Sequence, residues 1–210
     1  METVVRKGNG KGRESQMKGM KKVMEDYREK IGNYLDLEIR LMKSVDVDVI
    51  NEVMNQLEQA RKRGNRVYIC GNGGSGSTAS HFVCDFNKGV SLEQEQKYQF
   101  VCLNDNLPQM MAIANDIGYD QIFKIPLVNV ISPGDLFIGI SGSGNSENVV
   151  LAAEYAKERN ATVIGLTGYD GGELKKIADY SLHVPVSNMQ IVEDLHLMLD
   201  HLMMWVLAGK

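Results

Sequence analysis

Residues 71–85 combine glycines, hydroxyl groups, an imidazole and a carboxylate in one short stretch, "GNGGSGSTASHFVCD". His81 and Asp85 are four residues apart, so on a helix both side chains project from one face. Such a pair can offer a nitrogen and an oxygen to one metal ion or to one substrate. A single histidine on a helix is more often a surface or core residue, but the adjoining glycines and serines favour a functional site here.

A second group of reactive side chains lies near the end of the chain, in "EDLHLMLDH" at residues 193–201. At 100° per residue, its polar members fall within an arc of about 160° on a helix; they are Glu193, Asp194, His196, Asp200 and His201. The arc could simply be a solvated face. However, the arc contains two of only four histidines in the chain, beside three carboxylates. The pattern is therefore equally compatible with a functional site.

Two glycine–serine turns each follow an apolar run and precede a helical pattern. The first contains Gly71, Gly73 and Gly74, with donors on Asn72, Ser75, Ser77 and Thr78; the second is "ISGSGNSENVV" at 140–150. Glycines let the backbone approach a ligand, and the free amides of a helix start favour an anion. Each turn alone could merely cap its helix. Two of them at strand ends favour a ligand, because ligands bind at that edge of an open sheet.

The chemistry of these turns differs from that of nucleotide-binding motifs. No lysine follows the glycines, as a P-loop requires, and the first turn lacks the glycine spacing of a dinucleotide fingerprint. We therefore expect no nucleotide cofactor. Hydroxyl groups without lysines suit a single small phosphate, such as that of a sugar phosphate.

The elements that position these turns follow one another as strand and helix. Apolar runs predict strands at 66–70, 98–103, 135–140, 161–166 and 180–185, and helical patterns lie at 77–87, 107–118, 146–159, 173–178 and 189–208. Continuous apolar runs are typical of parallel strands covered on both faces. The fold class is therefore α/β, a three-layer doubly wound sheet of about five parallel strands. An N-terminal helical pair precedes it, from Met17 to about Gly64, and a C-terminal helix closes it.

Composition limits the class of protein. The chain has 210 residues and a net charge of −4, without the basic excess of a nucleic-acid surface. The cluster Arg61, Lys62 and Arg63 is assigned to the dipole at a helix end.

Three cysteines without metal-ligand spacing indicate reduced thiols and a cytoplasmic location. No apolar run approaches the ~20 residues of a membrane span. Residues 1–16 are predicted to be a disordered tail and 17–210 a single domain.

The motifs "GNGGS", "SGSGNS" and "LTGYDGG" (166–172), in this order, resemble the sugar isomerase (SIS) domain family. They are most similar to its sedoheptulose 7-phosphate (phosphoheptose) isomerases, over about Met17 to Leu207. The resemblance implies a five-stranded parallel sheet, a homotetramer with active sites between subunits, and isomerisation of a ketose phosphate to an aldose phosphate through an enediol. The product would serve bacterial heptose and surface polysaccharide synthesis.

The resemblance also assigns roles to residues. In these isomerases a His and a Glu on the first helix, and a Gln and a His on the last, bind zinc or substrate; His81, Asp85, Glu193 and His201 match them. Asp85 and His201 match the acid and base, whereas no catalytic role is carried over to His196. Glu193 is also assigned to substrate binding, together with Asn72, Gly73, Gly74, Ser75, Asn115, Asp116, Ser141, Gly142, Ser143 and Ser146.

Two positions depart from the family pattern, since Asp85 replaces Glu and Glu193 replaces Gln. The resulting set of two imidazoles and two carboxylates is one that zinc accepts. Glu193 and His201 lie ~12 Å apart along a regular helix. They can share one metal only if the helix start is irregular or if two subunits contribute.

Two alternatives to a phosphoheptose isomerase stay open from the sequence. Some SIS proteins are non-catalytic sugar-phosphate sensors or adaptors, one of which binds a bacterial replication initiator. The two substitutions could also mark an isomerase of a different phosphosugar. Retention of a carboxylate at 85 and a histidine at 201 favours an enzyme, but the sequence does not identify the sugar.

Overall fold

The computed structural model describes residues 25–209. Two compact units divide the chain, the first ending at Leu37 and the second beginning at Glu38. The tail expected over residues 1–16, and the first turns of the helix expected from Met17, lie outside the described residues. Among residues 25–209, no helix has both the length and the apolar character needed to cross a bilayer.

A five-stranded sheet forms the centre of the second unit, and every strand pair in it is parallel. The strand order is β2–β1–β3–β4–β5. The strands are β1 Val67–Gly71, β2 Phe100–Cys102, β3 Leu136–Ser141, β4 Thr162–Thr167 and β5 Tyr180–His183. Each coincides with a run predicted from the sequence, and the fold class is confirmed.

Helices connect and flank the strands of the second unit, and the first helix precedes them along the chain. Their bounds are α1 Arg28–Met42, α2 Val47–Arg63, α3 Gly73–Cys84, α4 Leu107–Asp116, α5 Glu147–Glu158, α6 Gly172–Ile177 and α7 Met189–Leu207. Asp46 caps α2 by accepting from the amides of Asp48 and Val49, and Gly64 ends it in the left-handed conformation. The helix expected over 77–87 begins earlier, at Gly73, and continues beyond Cys84 as a π-helix, Asp85–Val90.

Apolar side chains cover both faces of the sheet, which explains why the strands are apolar throughout. Val67 and Ile69 pack with α2, α3 and α7 on one face. Tyr68 and Cys70, which alternate with them along β1, pack with α4, α5 and α6 on the other. This arrangement gives three layers and fixes the strand ends at one edge of the sheet.

The two glycine–serine turns meet because β1 and β3 are neighbours. Gly71 pairs with Ile140 in the parallel register, so the turn after β1 and the turn after β3 leave the sheet side by side. The chain runs outward from β1 to β2 on one side and from β3 through β4 to β5 on the other. The turns therefore lie at the topological switch point, the usual ligand site of an open α/β sheet.

Candidate active site

Asn104 holds the first turn in place. Its side-chain oxygen accepts from the Gly71 amide at 3.2 Å, and its side-chain nitrogen donates to the Gly71 carbonyl at 2.8 Å. A Cβ on Gly71 would approach the Ser75 backbone to 2.7 Å, so only glycine allows the chain to turn back this sharply. Helix α3 can then begin at Gly73, immediately after the strand.

A pair of amides ties the two turns together. The side chains of Asn72 and Asn148 exchange hydrogen bonds of 2.8 and 2.9 Å, and the Tyr119 hydroxyl donates to the Asn72 oxygen at 2.8 Å. Asn72, predicted to bind substrate, therefore also joins the two turns. A cavity of about 430 Å³ is lined by Asn72, Tyr119, Asp120, Ser146, Glu147 and Asn148.

The loop that contains "LTGYDGG" supports the second turn. Gly144 has a φ of +69°, and a Cβ there would collide with the Gly171 carbonyl oxygen. The Gly144 carbonyl accepts from the Leu174 amide at 2.9 Å, and the Gly142 carbonyl accepts from the Gly168 amide at 2.8 Å. The "LTGYDGG" loop therefore determines the shape of the second glycine–serine turn.

A cavity of about 230 Å³ lies between the two turns and the start of α7. Its lining contains Asn72, Gly73, Gly74, Ser75, Ile140, Ser141, Gly142, Ser143, Ser146, Met189 and Glu193. The Ser141 hydroxyl donates to the Ser146 hydroxyl at 3.1 Å. We call this the serine cavity. Nine of the predicted substrate-binding residues line it, and free helix-start amides beside hydroxyl groups suit an anion.

Four ionisable side chains form a second cluster, where α3 meets the π-helix. The ligand atoms of His81, Asp85, Asp200 and His201 all lie within 4.8 Å of one another. His81 Nε2 is 3.0 Å from His201 Nε2, and Asp85 Oδ2 is 3.6 and 3.9 Å from these two nitrogens. We call this the His–Asp cluster. The ligand edges of a tetrahedral zinc site are about 3.3 Å, given bonds of about 2.0 Å, so these separations fit a small cation.

Asp200 is the buried member of the His–Asp cluster. Its side chain is 0% exposed, and neither of its oxygens has a hydrogen-bond partner among residues 25–209. Burial, and next to it the charge of Asp85, raise the pKa of Asp200 to about 8. A cation among the four side chains would compensate these charges, so the donor set fits a divalent metal.

Helices α3 and α7 carry both sites. Near their starts, the Glu193 carboxylate lies directly against Gly74, where a Cβ would collide with it. Further along both helices, the His81 side chain contacts that of His201. The helices therefore run side by side in the same direction. The serine cavity and the His–Asp cluster lie seven to eight residues apart along them, or about 10–12 Å.

This geometry separates the four residues expected to bind one metal. His81, Asp85 and His201 come together, but Glu193 lines the serine cavity and is not a member of the cluster. The reason is the helical rise noted from the sequence, because α7 is regular from Met189 onward. Asn115 and Asp116, at the end of α4, are exposed, bond to each other at 2.7 Å, and line neither of the two cavities.

His196 has a structural environment, in agreement with the absence of an assigned catalytic role. Its Nε2 lies 3.3 Å from the Thr167 carbonyl oxygen, and its Nδ1 has no partner in the described part of the chain. Burial lowers the pKa of His196 to about 4, so the ring is neutral. It packs α7 against the end of β4.

Sequence reasoning missed three residues of these sites: Asn104, Asn148 and Asp200. Asp200 is one of the carboxylates in the polar arc of residues 193–201. It directly precedes His201, and this position could have identified it as a site residue. Asn104 follows the second strand and Asn148 lies in the first turn of α5. Their roles depend on contacts between distant parts of the chain, which no local pattern reveals.

The chain belongs to the SIS domain family, whose pattern matches residues 27–168. Within that family it is similar to phosphoheptose isomerases. The phosphoheptose isomerase of Aliarcobacter butzleri is 36% identical over 160 residues, 73% of this chain and 84% of that protein. The probable phosphoheptose isomerase of Thermoplasma acidophilum is 32% identical over 177 residues, 84% of this chain and 97% of its own.

Solved structures agree with the sequence comparison. A phosphoheptose isomerase from Francisella tularensis superposes with a TM-score of 0.81 at 26% identity, over 89% of this chain and 100% of that one. Phosphoheptose isomerase GmhA from Neisseria gonorrhoeae gives 0.80 at 28% identity, over 88% and 100%. The resemblance predicted from the three glycine motifs is thus confirmed.

Proposed function

We propose that the protein is an aldose–ketose isomerase that converts sedoheptulose 7-phosphate to the corresponding heptose 7-phosphate. The observation that carries this proposal is the distance of about 10–12 Å between the serine cavity and the His–Asp cluster. At about 1.5 Å per carbon–carbon bond, an open seven-carbon chain with a terminal phosphate is roughly 10 Å long. With the phosphate in the serine cavity, carbons 1 and 2 reach the cluster. The names of the relatives support the same substrate.

The reaction moves protons between two neighbouring carbons and their oxygens. We assign Asp85 to remove the proton from carbon 1 and to return it to carbon 2. His201, through the ring nitrogen that would not bind the metal, protonates the oxygen on carbon 2 and accepts the hydroxyl proton from carbon 1, so the enediol forms and collapses without net loss of a proton. Both side chains are accessible, Asp85 partly and His201 largely, as acid–base groups must be to come within ~3 Å of their protons.

Residues around the serine cavity hold the other end of the substrate. Ser141, Ser143 and Ser146 donate hydroxyl groups to the phosphate, and the free amides at the start of α3 add backbone donors. Glu193, on the α7 side of the cavity, accepts hydrogen bonds from sugar hydroxyls. This arrangement keeps the reacting carbons in place while protons move.

A divalent metal such as zinc fits the His–Asp cluster by donor type and spacing. His81 and His201 supply nitrogens and Asp85 an oxygen, which are ligands that zinc accepts. When bound, a metal polarises a carbonyl or holds neighbouring hydroxyls. The His81 and His201 nitrogens and the Asp85 carboxylate would hold it at the reacting end of the substrate.

We further propose a homotetramer with active sites between subunits, located in the cytoplasm. Exposed apolar residues on α1 support assembly, since an amphipathic helix needs a surface to cover its apolar face. The three cysteines are free, which supports a reducing compartment. The non-catalytic alternative has less support, because Asp85 and His201 are both present and lie together.

The experiment that tests the activity uses purified protein and ketose phosphates of five, six and seven carbons, with zinc and after chelation. Aldose formation is followed by NMR. We expect turnover to be greatest for the seven-carbon substrate and to fall as the chain shortens. Equal or better turnover of a five-carbon substrate would contradict the proposal, and absence of turnover with every substrate would support a binding protein.

A further inference from the structure

Asp200 is the member of the His–Asp cluster to which neither the motifs nor the family resemblance assigns a role. Its side chain is 0% exposed, so a sugar in the serine cavity cannot reach it. Both carboxylate oxygens lack hydrogen-bond partners within residues 25–209. A buried carboxyl group without a hydrogen-bond partner destabilises a fold, and in its charged form it requires a compensating group.

The surroundings of Asp200 indicate a cation as that group. Its ligand atom lies within 4.8 Å of those of His81, Asp85 and His201. The two imidazole Nε2 atoms, 3.0 Å apart, face the same small volume. Among residues 25–209, the ion-pair partners of Asp85 are the imidazoles of His81 and His201, and neither oxygen of Asp200 has a hydrogen-bond partner, so no arginine or lysine side chain compensates these two carboxylates.

We infer that Asp200 is the fourth protein ligand of the divalent metal, in the place that the family resemblance gives to Glu193. The inference rests on the proposed function, from which it takes the metal held by His81, Asp85 and His201. Two nitrogens and two oxygens then come from a single chain, a set of ligands that zinc accepts, and the sugar would bind as a fifth ligand, a coordination number to which zinc sites can expand. Glu193 and Asp200 are two turns apart on one face of α7, about 10 Å, so each serves a different site.

With this assignment, Asp200 and Asp85 have different roles. Asp200 is enclosed and holds the metal whether or not substrate is present. The side chain of Asp85 is 18% exposed and remains accessible to the sugar. Asp200 would therefore keep the metal in place while Asp85 transfers protons, and Glu193 would be free to contact the sugar in the serine cavity.

Zinc binding to the full-length protein tests the inference without an activity assay. The variants are Asp200→Leu, Asp200→Asn, Glu193→Gln and His81→Ala, and the readouts are zinc affinity by chelator competition and the rise in melting temperature with zinc. Both Asp200 variants should lose affinity by about tenfold or more, and the zinc-induced rise should shrink. Glu193→Gln, the matched carboxylate on the same helix face, should stay within about twofold of the wild type.

Asp200→Leu separates the loss of a metal ligand from the loss of folding. A protein with an apolar side chain at this fully buried site should be at least as stable as one with an unpaired carboxylate there. Wild-type affinity in both Asp200 variants overturns the inference, as does a loss in Glu193→Gln equal to that in Asp200→Leu. If His81→Ala alone loses zinc, the metal site of the proposed function stands and only the assignment of Asp200 fails. If no variant differs from the wild type, both fail.

Discussion

The carboxylate of Asp85 lies 3.6 Å from His81 Nε2 and 3.9 Å from His201 Nε2, at the residue where α3 becomes a π-helix. Asp85 has a shorter side chain than the glutamate of the family pattern. A π-helical turn is wider than an α-helical one, and such turns occur frequently at functional sites. The π-helical backbone and the shorter side chain therefore both determine where the carboxylate at residue 85 lies.

Asp85→Asn should abolish most of the isomerase activity while the fold persists. An amide cannot accept the proton from carbon 1, so kcat should fall by about 10²–10⁴, with a smaller change in KM. Steady-state kinetics with sedoheptulose 7-phosphate measure the effect. Asp85→Glu is the matched variant, since it keeps the carboxylate, and it should retain activity if the shorter side chain has no role in substrate choice. Full activity in Asp85→Asn would remove Asp85 from the mechanism.

Ser143→Ala should weaken phosphate binding. The Ser143 hydroxyl accepts from the Asn145 amide at 3.2 Å and lines the serine cavity. Loss of one donor to a charged phosphate costs about 1–3 kcal/mol of binding, whereas stability should change by no more than about 0.5 kcal/mol. Calorimetry with the sugar phosphate and thermal unfolding separate the two effects. Ser132→Ala, at an exposed turn outside the cavity, is the control; unchanged binding in Ser143→Ala would leave the serine with a turn role only.

At the scale of elements, the sequence predicts the strands well because burial on both faces makes each of them continuously apolar. Continuous runs such as Leu136–Ile140 leave little ambiguity. Three features escape prediction because they depend on contacts distant in sequence. The π-helix at Asp85 is one, and the Asn72–Asn148 pair is another. The third is the environment of Arg61, which was assigned to the helix dipole but is buried and donates to Glu58 and to the Gln96 carbonyl.

Gly144→Ala tests whether the "LTGYDGG" loop shapes the second turn. A Cβ at residue 144 would collide with the Gly171 carbonyl, and its φ of +69° is unfavourable for alanine. We expect a loss of stability of more than about 1 kcal/mol, together with weaker sugar-phosphate binding. Gly32→Ala is the control, because no described atom beyond its own helix lies within 4 Å of its Cβ position. It should stabilise α1 by about 0.5–1 kcal/mol; a similar outcome in both variants would contradict this account.

Glu58 should make the protein sensitive to acid. The hydrogen bonds that it accepts from Arg61 lower its pKa to about 2, against a usual value of 4.5 for glutamate. A lowered pKa means that the stabilisation is complete above about pH 5 and is lost as the pH falls towards 2. The contribution is at most about 3 kcal/mol, and less in practice, because the side chain is 24% exposed and solvent screens the pair.

Chemical unfolding between pH 2 and 7 measures this dependence. Glu58→Gln removes the charge, so its free energy of unfolding should be lower at pH 7 and fall less steeply below pH 5. Glu52→Gln, at an exposed position of the same helix, is the control and should follow the wild type. A slope for Glu58→Gln equal to that of the wild type would show that the Arg61 pair contributes little.

At the scale of the whole molecule, apolar side chains remain exposed on more than one helix. None of the residues of α1, all of which the structure describes, is buried. Tyr27, Ile31, Leu35 and Ile39 are each about half exposed and follow one another at four-residue intervals, which places them on one face. On α7, Trp205 and Val206 are exposed as well. An exposed apolar helix face such as that of α1 is typical of contacts between subunits.

Light scattering during size-exclusion chromatography tests the proposed tetramer, whose mass should be four times the 23.4 kDa of one chain. Ile31→Lys places a charge in the apolar face of α1 and should shift the protein towards smaller species, because an unpaired charge in an apolar contact is unfavourable. Asn33→Lys adds the same charge about 200° away around the helix and should leave the assembly intact. If active sites lie between subunits, isomerase activity falls with the mass in Ile31→Lys and persists in Asn33→Lys. A monomeric wild type at micromolar concentration would falsify the assembly, and an active Ile31→Lys monomer would place the whole site within one chain.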